Sequence, residues 1–120
     1  MAKILIVDDS KMSRRMLKTI IEGLGHEVAG EASNGGEGVE LYKQLKPDAV
    51  TMDITMPEMD GISCLKEIKE FDAQAKVIMV TAAGQSSKLM EALKHGAKEF
   101  ICKPYEPEQV INALKEVLNK

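Results

Sequence analysis

Five polar side chains follow short apolar segments of this sequence, each at the point where the segment ends. They are Asp8, Asp9, Asp53, Thr81 and Lys103. Carboxylates held close together repel one another, so they either have raised pKa values or bind a divalent cation. An oxygen-only ligand set, with no Cys or His beside it, favours Mg²⁺. A carboxylate next to a metal and a lysine also suits phosphoryl transfer, because Asp can itself accept the phosphoryl group.

The apolar segments before these residues predict the strands of a parallel sheet. Residues 4–7 and 77–80 are almost continuously apolar and rich in β-branched side chains, which is typical of strands covered on both faces. Segments with apolar residues at helical spacing follow the strands, and the alternation occurs five times. We therefore predict an α/β fold of five βα units, with a doubly wound, five-stranded parallel sheet and helices on both faces.

Such a fold would bring the five polar side chains together. Right-handed crossovers place the carboxyl ends of parallel strands at one edge of the sheet, and ligands bind outside that edge. Any one of these Asp residues alone is most often a solvated surface group. Because the five side chains close four different predicted strands, we interpret them as one site.

The 120-residue chain has the length and composition of one globular domain, and we expect residues 1–120 to form it. Its net charge of −3 argues against nonspecific nucleic-acid binding. A local basic cluster is interpreted as a solvated helix face. Its members are Lys11, Arg14, Arg15 and Lys18. No apolar segment is long enough to cross a bilayer and no signal peptide is recognised, so we expect no membrane partner and a cytoplasmic location.

Several other residues receive structural interpretations. Ser86 or Ser87 is predicted to cap the fourth helix. Cys64 and Cys102 fall inside predicted elements without metal-ligand spacing, so they are interpreted as buried, reduced thiols. Periodic spacing also assigns four methionines to the core. These are Met12, Met16, Met79 and Met90.

The residues that could carry the chemistry resemble those of response-regulator receiver domains in two-component signal transduction. The resemblance covers the whole chain and depends on motifs that occur in the family's order. They are Asp8-Asp9, residues 52–61 around Asp53, Thr81-Ala82 and Lys103-Pro104. The sequence is most similar to the stand-alone chemotaxis regulators of that family. The resemblance implies a flavodoxin-like sheet with strand order 2-1-3-4-5.

The resemblance also implies roles for the acidic residues. Asp53 would accept a phosphoryl group from a histidine of a sensor kinase and become an acyl phosphate. Asp9 and Asp53, with the backbone carbonyl of Thr55, would hold Mg²⁺, and Asp8 would act mainly through a metal-bound water. The protein would therefore be a phospho-accepting signalling domain rather than an enzyme. We expect its acyl phosphate to undergo slow self-dephosphorylation.

Further roles follow from the same resemblance. Lys103 would pair with Asp53 before transfer and with a phosphate oxygen afterwards, and the Lys103-Pro104 peptide would be cis. The Thr81 hydroxyl and the Ala82 backbone N–H would bind phosphate oxygens. Phe100 occupies the position of the family's switch aromatic, often a Tyr, and a core aromatic is the alternative interpretation.

The partners implied are a chemotaxis-type sensor histidine kinase, a flagellar motor switch protein and a dedicated phosphatase. We expect a monomer with no output domain after the fifth helix, so that the signal is delivered by docking.

Two alternatives stay open. One is a single-domain phosphorelay intermediate, which passes its phosphoryl group to a histidine phosphotransfer protein. The other is an Mg²⁺-dependent aspartate-nucleophile phosphohydrolase. Such an enzyme needs a second general acid/base Asp soon after the nucleophile and usually a cap insertion, whereas Ile54 and Thr55 follow Asp53.

Overall fold

A computed structural model of the protein describes residues 1–119. Over this range five strands alternate with five helices, as the sequence predicts. The strands are β1 (Lys3–Val7), β2 (Glu27–Ala32), β3 (Ala49–Asp53), β4 (Val77–Thr81) and β5 (Glu99–Cys102). The helices are α1 (Lys11–Gly23), α2 (Gly35–Leu45), α3 (Gly61–Phe71), α4 (Ser86–Lys94) and α5 (Pro107–Leu118). The predicted domain spans residues 1–120, of which residue 120 lies outside the described range.

The strands form one parallel sheet in the order β2-β1-β3-β4-β5. Val7 of β1 is in register with Met52 of β3, and Asp53 of β3 is in register with Val80 of β4. The carboxyl ends of β1, β3 and β4 therefore lie side by side at one edge. This arrangement confirms the predicted doubly wound fold and its strand order.

The sheet is covered on both faces, because successive strand residues point to opposite sides. Leu5 and Val7 belong to a core with buried residues of α2, α3 and α4. Ile4 and Ile6 belong to a second core with buried residues of α1 and α5. In the part of the chain that the structure describes, no helix is long and apolar enough to cross a membrane.

Three of the helices begin at a side-chain cap. Ser10, Asn34 and Asp60 each accept a hydrogen bond from the backbone N–H three residues later, at the starts of α1, α2 and α3. The prediction for α4 is wrong, because Ser86 and Ser87 lie inside the helix and Gln85 precedes it. The Gln85 side chain forms hydrogen bonds with residues of two loops instead.

Three methionines assigned to the core by their spacing are exposed. They are Met12, Met16 and Met90, whereas Met79 is buried in β4 as predicted. In α1 the buried residues are Leu17 and Ile21. Met16 precedes Leu17 by one residue and so projects about 100° away from it around the helix axis. Helical spacing identifies rows of apolar residues, but it does not decide which row faces the sheet.

The two cysteines differ in burial. Cys64 is buried in α3, and its thiol donates a hydrogen bond to the Gly35 carbonyl oxygen at 3.2 Å. Burial raises the pKa of the Cys64 thiol to about 12, so it stays protonated at neutral pH. Cys102 is exposed, contrary to prediction. It lies on edge strand β5, in which Ile101 is the buried residue.

Candidate functional site

Asp53 is the last residue of β3, and the strand carries its carboxylate into the carboxyl edge of the sheet. All five residues of β3 are buried, and the exposed fraction of Asp53 is 8%. The following turn is tight, because the Gly61 N–H donates a hydrogen bond to the Ile54 carbonyl oxygen at 2.7 Å. A Cβ at Gly61 would overlap the Asp53 carbonyl oxygen. Glycine at this position therefore lets α3 begin directly against the end of β3.

Asp8 and Asp9 lie beside Asp53, at the end of β1. One oxygen of Asp8, Oδ1, accepts a hydrogen bond from the Ser10 N–H at 2.8 Å. The other, Oδ2, is buried and has no hydrogen bond among the described residues. Asp9 is exposed. Carboxylate oxygens from the three Asp residues lie within 4.8 Å of one another.

Lys103 brings a cation to this cluster. Its Nζ lies 3.4 Å from Asp8 Oδ2 and 3.6 Å from Asp53 Oδ2. Its backbone N–H donates a hydrogen bond to the Thr81 carbonyl oxygen at 2.7 Å, which fixes the loop after β5 to the end of β4. The Lys103-Pro104 peptide is cis, as the resemblance implies.

The electrostatics of the cluster are unbalanced. Burial, the largest cause, and the nearby Asp8 carboxylate raise the pKa of Asp53 to about 6, against the opposing effect of Lys103. Burial alone would lower the pKa of Lys103, but the Asp53 and Asp8 carboxylates outweigh it and raise that pKa. Removal of the charge of Asp53 or of Lys103 would therefore shift the pKa of the other residue.

The cluster fits a hard divalent cation. The buried Asp8 Oδ2 shares the Lys103 ammonium with Asp53 Oδ2, at 3.4 Å and 3.6 Å, so this one positive charge only partly neutralises the three clustered carboxylates. The donor set is oxygen-only, which favours Mg²⁺ or Ca²⁺ over softer metals. The residues that could hold the ion are Asp8, Asp9 and Asp53.

Thr81 is the last residue of β4 and Ala82 follows it, on the side of β3 opposite to β1. The Thr81 hydroxyl donates a hydrogen bond to the Gln85 Oε1 at 3.2 Å, and the Ala82 N–H donates to the same oxygen at 2.7 Å. The Gln85 Nε2 donates to the Thr55 hydroxyl at 2.5 Å. Sequence reasoning missed Gln85. The sequence feature that could have identified Gln85 is a polar residue four positions after Thr81, at the start of a helix.

The comparison with protein families matches the response regulator receiver domain over residues 4–115. This chain is a response-regulator receiver domain. It is 57% identical to the chemotaxis protein CheY of Thermotoga maritima over 115 residues, which cover 96% of each chain. It is 54% identical to CheY of Bacillus subtilis over 117 residues, which cover 98% of each chain.

Solved structures agree with this family. A CheX–CheY complex with BeF₃ and Mg from Borrelia burgdorferi contains a chain that matches with a TM-score of 0.93 and 42% identity. The match covers 98% of this receiver domain and 90% of that chain. Receiver domains are signalling domains rather than conventional enzymes, so the acidic cluster belongs to a CheY-like signalling domain.

The two aromatic residues near the site of this receiver domain differ in burial, since Phe100 is exposed and Tyr105 is half-buried. Phe100 is exposed on β5, so the interpretation as a core aromatic is wrong. Its ring adjoins an open groove lined by Cys102, Gln109 and Asn112. Tyr105 follows the cis peptide, and its hydroxyl lies 3.4 Å from the Ser13 hydroxyl. The structure therefore groups Asp8, Asp9, Asp53 and Lys103 in one cluster, joins Thr81 and Ala82 through Gln85, and leaves Phe100 outside.

Proposed function

We propose that this receiver domain accepts a phosphoryl group on Asp53 from a sensor histidine kinase and then changes its affinity for a partner protein. One observation carries the proposal: the buried Asp53 carboxylate lies at the sheet edge within 3.6 Å of a lysine ammonium and close to two further carboxylates. A nucleophilic carboxylate with cations around it is what phosphoryl transfer to Asp requires.

Mg²⁺ is the cation that best suits this proposal. Asp9, Asp53 and the backbone carbonyl of Thr55 would hold it, and Asp8 would bind through water. When bound, Mg²⁺ supplies charge that neutralises the oxygens of the transferring group.

The chain's own residues would carry the transfer. An Asp53 carboxylate oxygen attacks phosphorus, a P–O bond forms, and the P–N bond to the donor histidine breaks with its electron pair on nitrogen. Lys103 pairs with Asp53 beforehand and moves to a phosphoryl oxygen afterwards. The Thr81 hydroxyl and the Ala82 N–H donate to the other oxygens. Slow hydrolysis of the acyl phosphate returns the domain to its starting state, with Thr55 and Ala83 flanking the site.

Partners are proposed from the relatives. Similarity to chemotaxis regulators supports a chemotaxis-type kinase as donor and a flagellar motor switch protein as target. The complex of a similar CheY with CheX supports a dedicated phosphatase. Phosphorylation would draw Thr81 toward the phosphate and bias the surface of α4, β5 and α5, where Phe100 is exposed. The domain would act as a monomer.

Intact-mass analysis tests the acceptor role. The protein is incubated with acetyl phosphate and either Mg²⁺ or a chelator, and Asp53→Asn is treated in parallel. We expect one labile phosphoryl adduct on the native chain with Mg²⁺, and none with chelator or on Asp53→Asn. Asp48→Asn, an exposed acid at the opposite edge of the sheet, is the matched control and should form the adduct normally. An adduct on Asp53→Asn, or none on the native chain, would overturn the proposal.

A binding titration tests the proposed target. Affinity for a flagellar motor switch peptide is measured with and without phosphorylation, and we expect the phosphorylated form to bind more tightly. Equal affinity in both states would reject the motor target. The next assay would then measure transfer of the phosphoryl group to a histidine phosphotransfer protein.

Lys103→Ala tests the role of the lysine. It should retain Mg²⁺ binding while the phosphorylated form loses its change in affinity for the peptide. Normal switching by this variant would contradict the role assigned to Lys103.

A further inference from the structure

The Gln85 side chain already occupies the two hydrogen-bond donors that the proposed function assigns to the phosphoryl group. Its Oε1 accepts from the Ala82 N–H at 2.7 Å and from the Thr81 hydroxyl at 3.2 Å. A carboxamide oxygen held by two donors has the same contacts that a phosphoryl oxygen would need. Because each donor has one hydrogen, Gln85 and a phosphoryl oxygen cannot both use them fully.

The other end of the same side chain reaches the loop after Asp53. Gln85 Nε2 donates a hydrogen bond to the Thr55 hydroxyl at 2.5 Å. Thr55 is exposed, and Gln85 is half-buried between the two loops. One carboxamide thus links the loop after β3 to the loop after β4, across the space beside Asp53.

Gln85 also connects these loops to α4. Its backbone carbonyl oxygen accepts a hydrogen bond from the Leu89 N–H at 2.9 Å, so the residue begins the helix. Displacement of the side chain would act at the first turn of α4. Helix α4 is part of the surface of α4, β5 and α5 that phosphorylation is proposed to change.

We propose that Gln85 is a latch that competes with the phosphoryl group for the Thr81 hydroxyl and the Ala82 N–H. This inference rests on the proposed function and assigns a positioning role to a residue that the acceptor chemistry does not use. In the unphosphorylated domain the latch holds the two loops together, and phosphorylation must release it. The release frees the start of α4 at the moment when Thr81 moves to the phosphate.

Loss of the latch should make the phosphorylated state easier to reach. A protein hydrogen bond exchanged for one to water typically changes an equilibrium by about two- to tenfold, so removal of two competing bonds favours phosphoryl binding by about tenfold. Gln85→Ala removes every contact of the latch. Thr55→Val keeps the carboxamide and removes one anchor, so its effect should be about threefold in the same direction.

Gln85→Glu should act in the opposite direction. Its carboxylate keeps an acceptor for the Ala82 N–H and the Thr81 hydroxyl, and the charge strengthens both bonds. The same charge repels a phosphoryl group. Opposite effects of Ala and Glu distinguish a competitor from a residue that only supports the fold, because loss of a structural support would weaken binding in both variants.

The test is calorimetric titration of each protein with beryllofluoride in saturating Mg²⁺. Beryllofluoride mimics the phosphoryl group on a carboxylate and is not hydrolysed as the acyl phosphate is, so it isolates binding. We expect about tenfold tighter binding by Gln85→Ala and weaker binding by Gln85→Glu than by the native chain. Gln44→Ala, an exposed glutamine in the last turn of α2, is the matched control and should bind as the native chain does.

The outcomes separate the latch from the acceptor chemistry. If the native chain binds beryllofluoride and Gln85→Ala binds equally or more weakly, the latch is wrong and the acceptor role stands. If the native chain binds none with Mg²⁺ present, the acceptor role fails. The amide proton of Ala82 gives a further check without any ligand, because its NMR shift should move upfield in Gln85→Ala and not in Gln44→Ala. An unmoved Ala82 signal would also overturn the latch.

Discussion

At the amino edge of the sheet two backbone N–H groups each have their own side-chain acceptor, whereas at the carboxyl edge two of the three clustered carboxylates share the Lys103 ammonium. The Lys3 N–H donates to the Asp48 carboxylate at 2.7 Å, and the Ala2 N–H donates to His26 Nδ1 at 3.0 Å. At the carboxyl edge, the buried Asp8 Oδ2 and the Asp53 Oδ2 instead share the Lys103 ammonium, at 3.4 Å and 3.6 Å. The amino edge therefore contributes to stability, and the carboxyl edge keeps an excess of negative charge that a cation can neutralise.

Gly61→Ala should have the largest effect on stability, because its Cβ would overlap the backbone that supports the carboxyl edge. The added Cβ would overlap the Asp53 carbonyl oxygen and lie 2.9 Å from the Ile54 Cα. We expect the free energy of unfolding, measured in urea, to fall by about 3 kcal/mol and Mg²⁺ affinity to fall with it.

Gly36→Ala is the matched control, because the nearest atom to its Cβ is Asn34 Oδ1 at 3.4 Å. This substitution in α2 should leave stability unchanged or raise it by about 0.5 kcal/mol. Equal losses in the two variants would contradict a special role for the close contact at Gly61.

Asp53→Asn should stabilise the metal-free protein. The raised pKa of Asp53, about 6, means that the folded state binds more protons than the unfolded state between about pH 4 and pH 6. Stability from this group is therefore present at low pH and is lost as pH rises through 6. At pH 7 in chelator, replacement by the neutral amide should raise the free energy of unfolding by about 2 kcal/mol.

The gain from Asp53→Asn should be about 1 kcal/mol smaller at pH 5 than at pH 7, because native Asp53 is then largely protonated. Urea unfolding at the two pH values measures this difference. A gain that does not depend on pH would mean that the carboxylate charge is not the cause.

Thr51→Val tests whether a buried polar group inside β3 affects only stability or also the site at the end of the strand. The Thr51 hydroxyl on β3 is buried without a hydrogen bond in the described chain, and it lies within the strand rather than at its end. Replacement by an isosteric methyl should raise the free energy of unfolding by about 1 kcal/mol. The yield of phosphoryl adduct should not change. A loss of adduct would show that the interior of β3 also serves the site.

Asp48→Ala should have the smallest effect, since it removes one exposed hydrogen bond at the amino edge. The Lys3 N–H can then bind water, so we expect a loss of about 0.5 kcal/mol in urea unfolding. Mg²⁺ affinity, measured by titration calorimetry, should stay unchanged. A weaker Mg²⁺ affinity would show that the two edges are coupled.

The sequence predicted the strands and the edge of the sheet because their signals are local. Residues 77–80 are apolar throughout, and the ends of β1 and β3 are marked by Asp8 and Asp53. The burial of individual side chains was less predictable. Cys102 is exposed because β5 is an edge strand, and that property depends on strands elsewhere in the chain.

The contacts of Gln85 could not be predicted for a related reason. Its partners Thr55 and Ala82 lie on two different loops, and the distance between those loops is set by packing of the whole sheet. Local rules favoured Ser86 or Ser87 as helix caps, because serine is a common cap. They could not show that the residue before them bridges two loops. The positions of site residues on strands were thus predictable, whereas hydrogen bonds between loops were not.

The position of Tyr105 makes its ring an intrinsic fluorescence probe of the site. The chain has no tryptophan and two tyrosines. Tyr42 donates a hydrogen bond to the Asp72 carboxylate at 2.8 Å, a contact that quenches phenol emission. Tyr105 lies two residues after Lys103 and is half-buried against Ser13. We therefore expect most of the emission of the unlabelled protein to come from the Tyr105 ring beside the site, so that loading of the site can be followed in a simple fluorimeter.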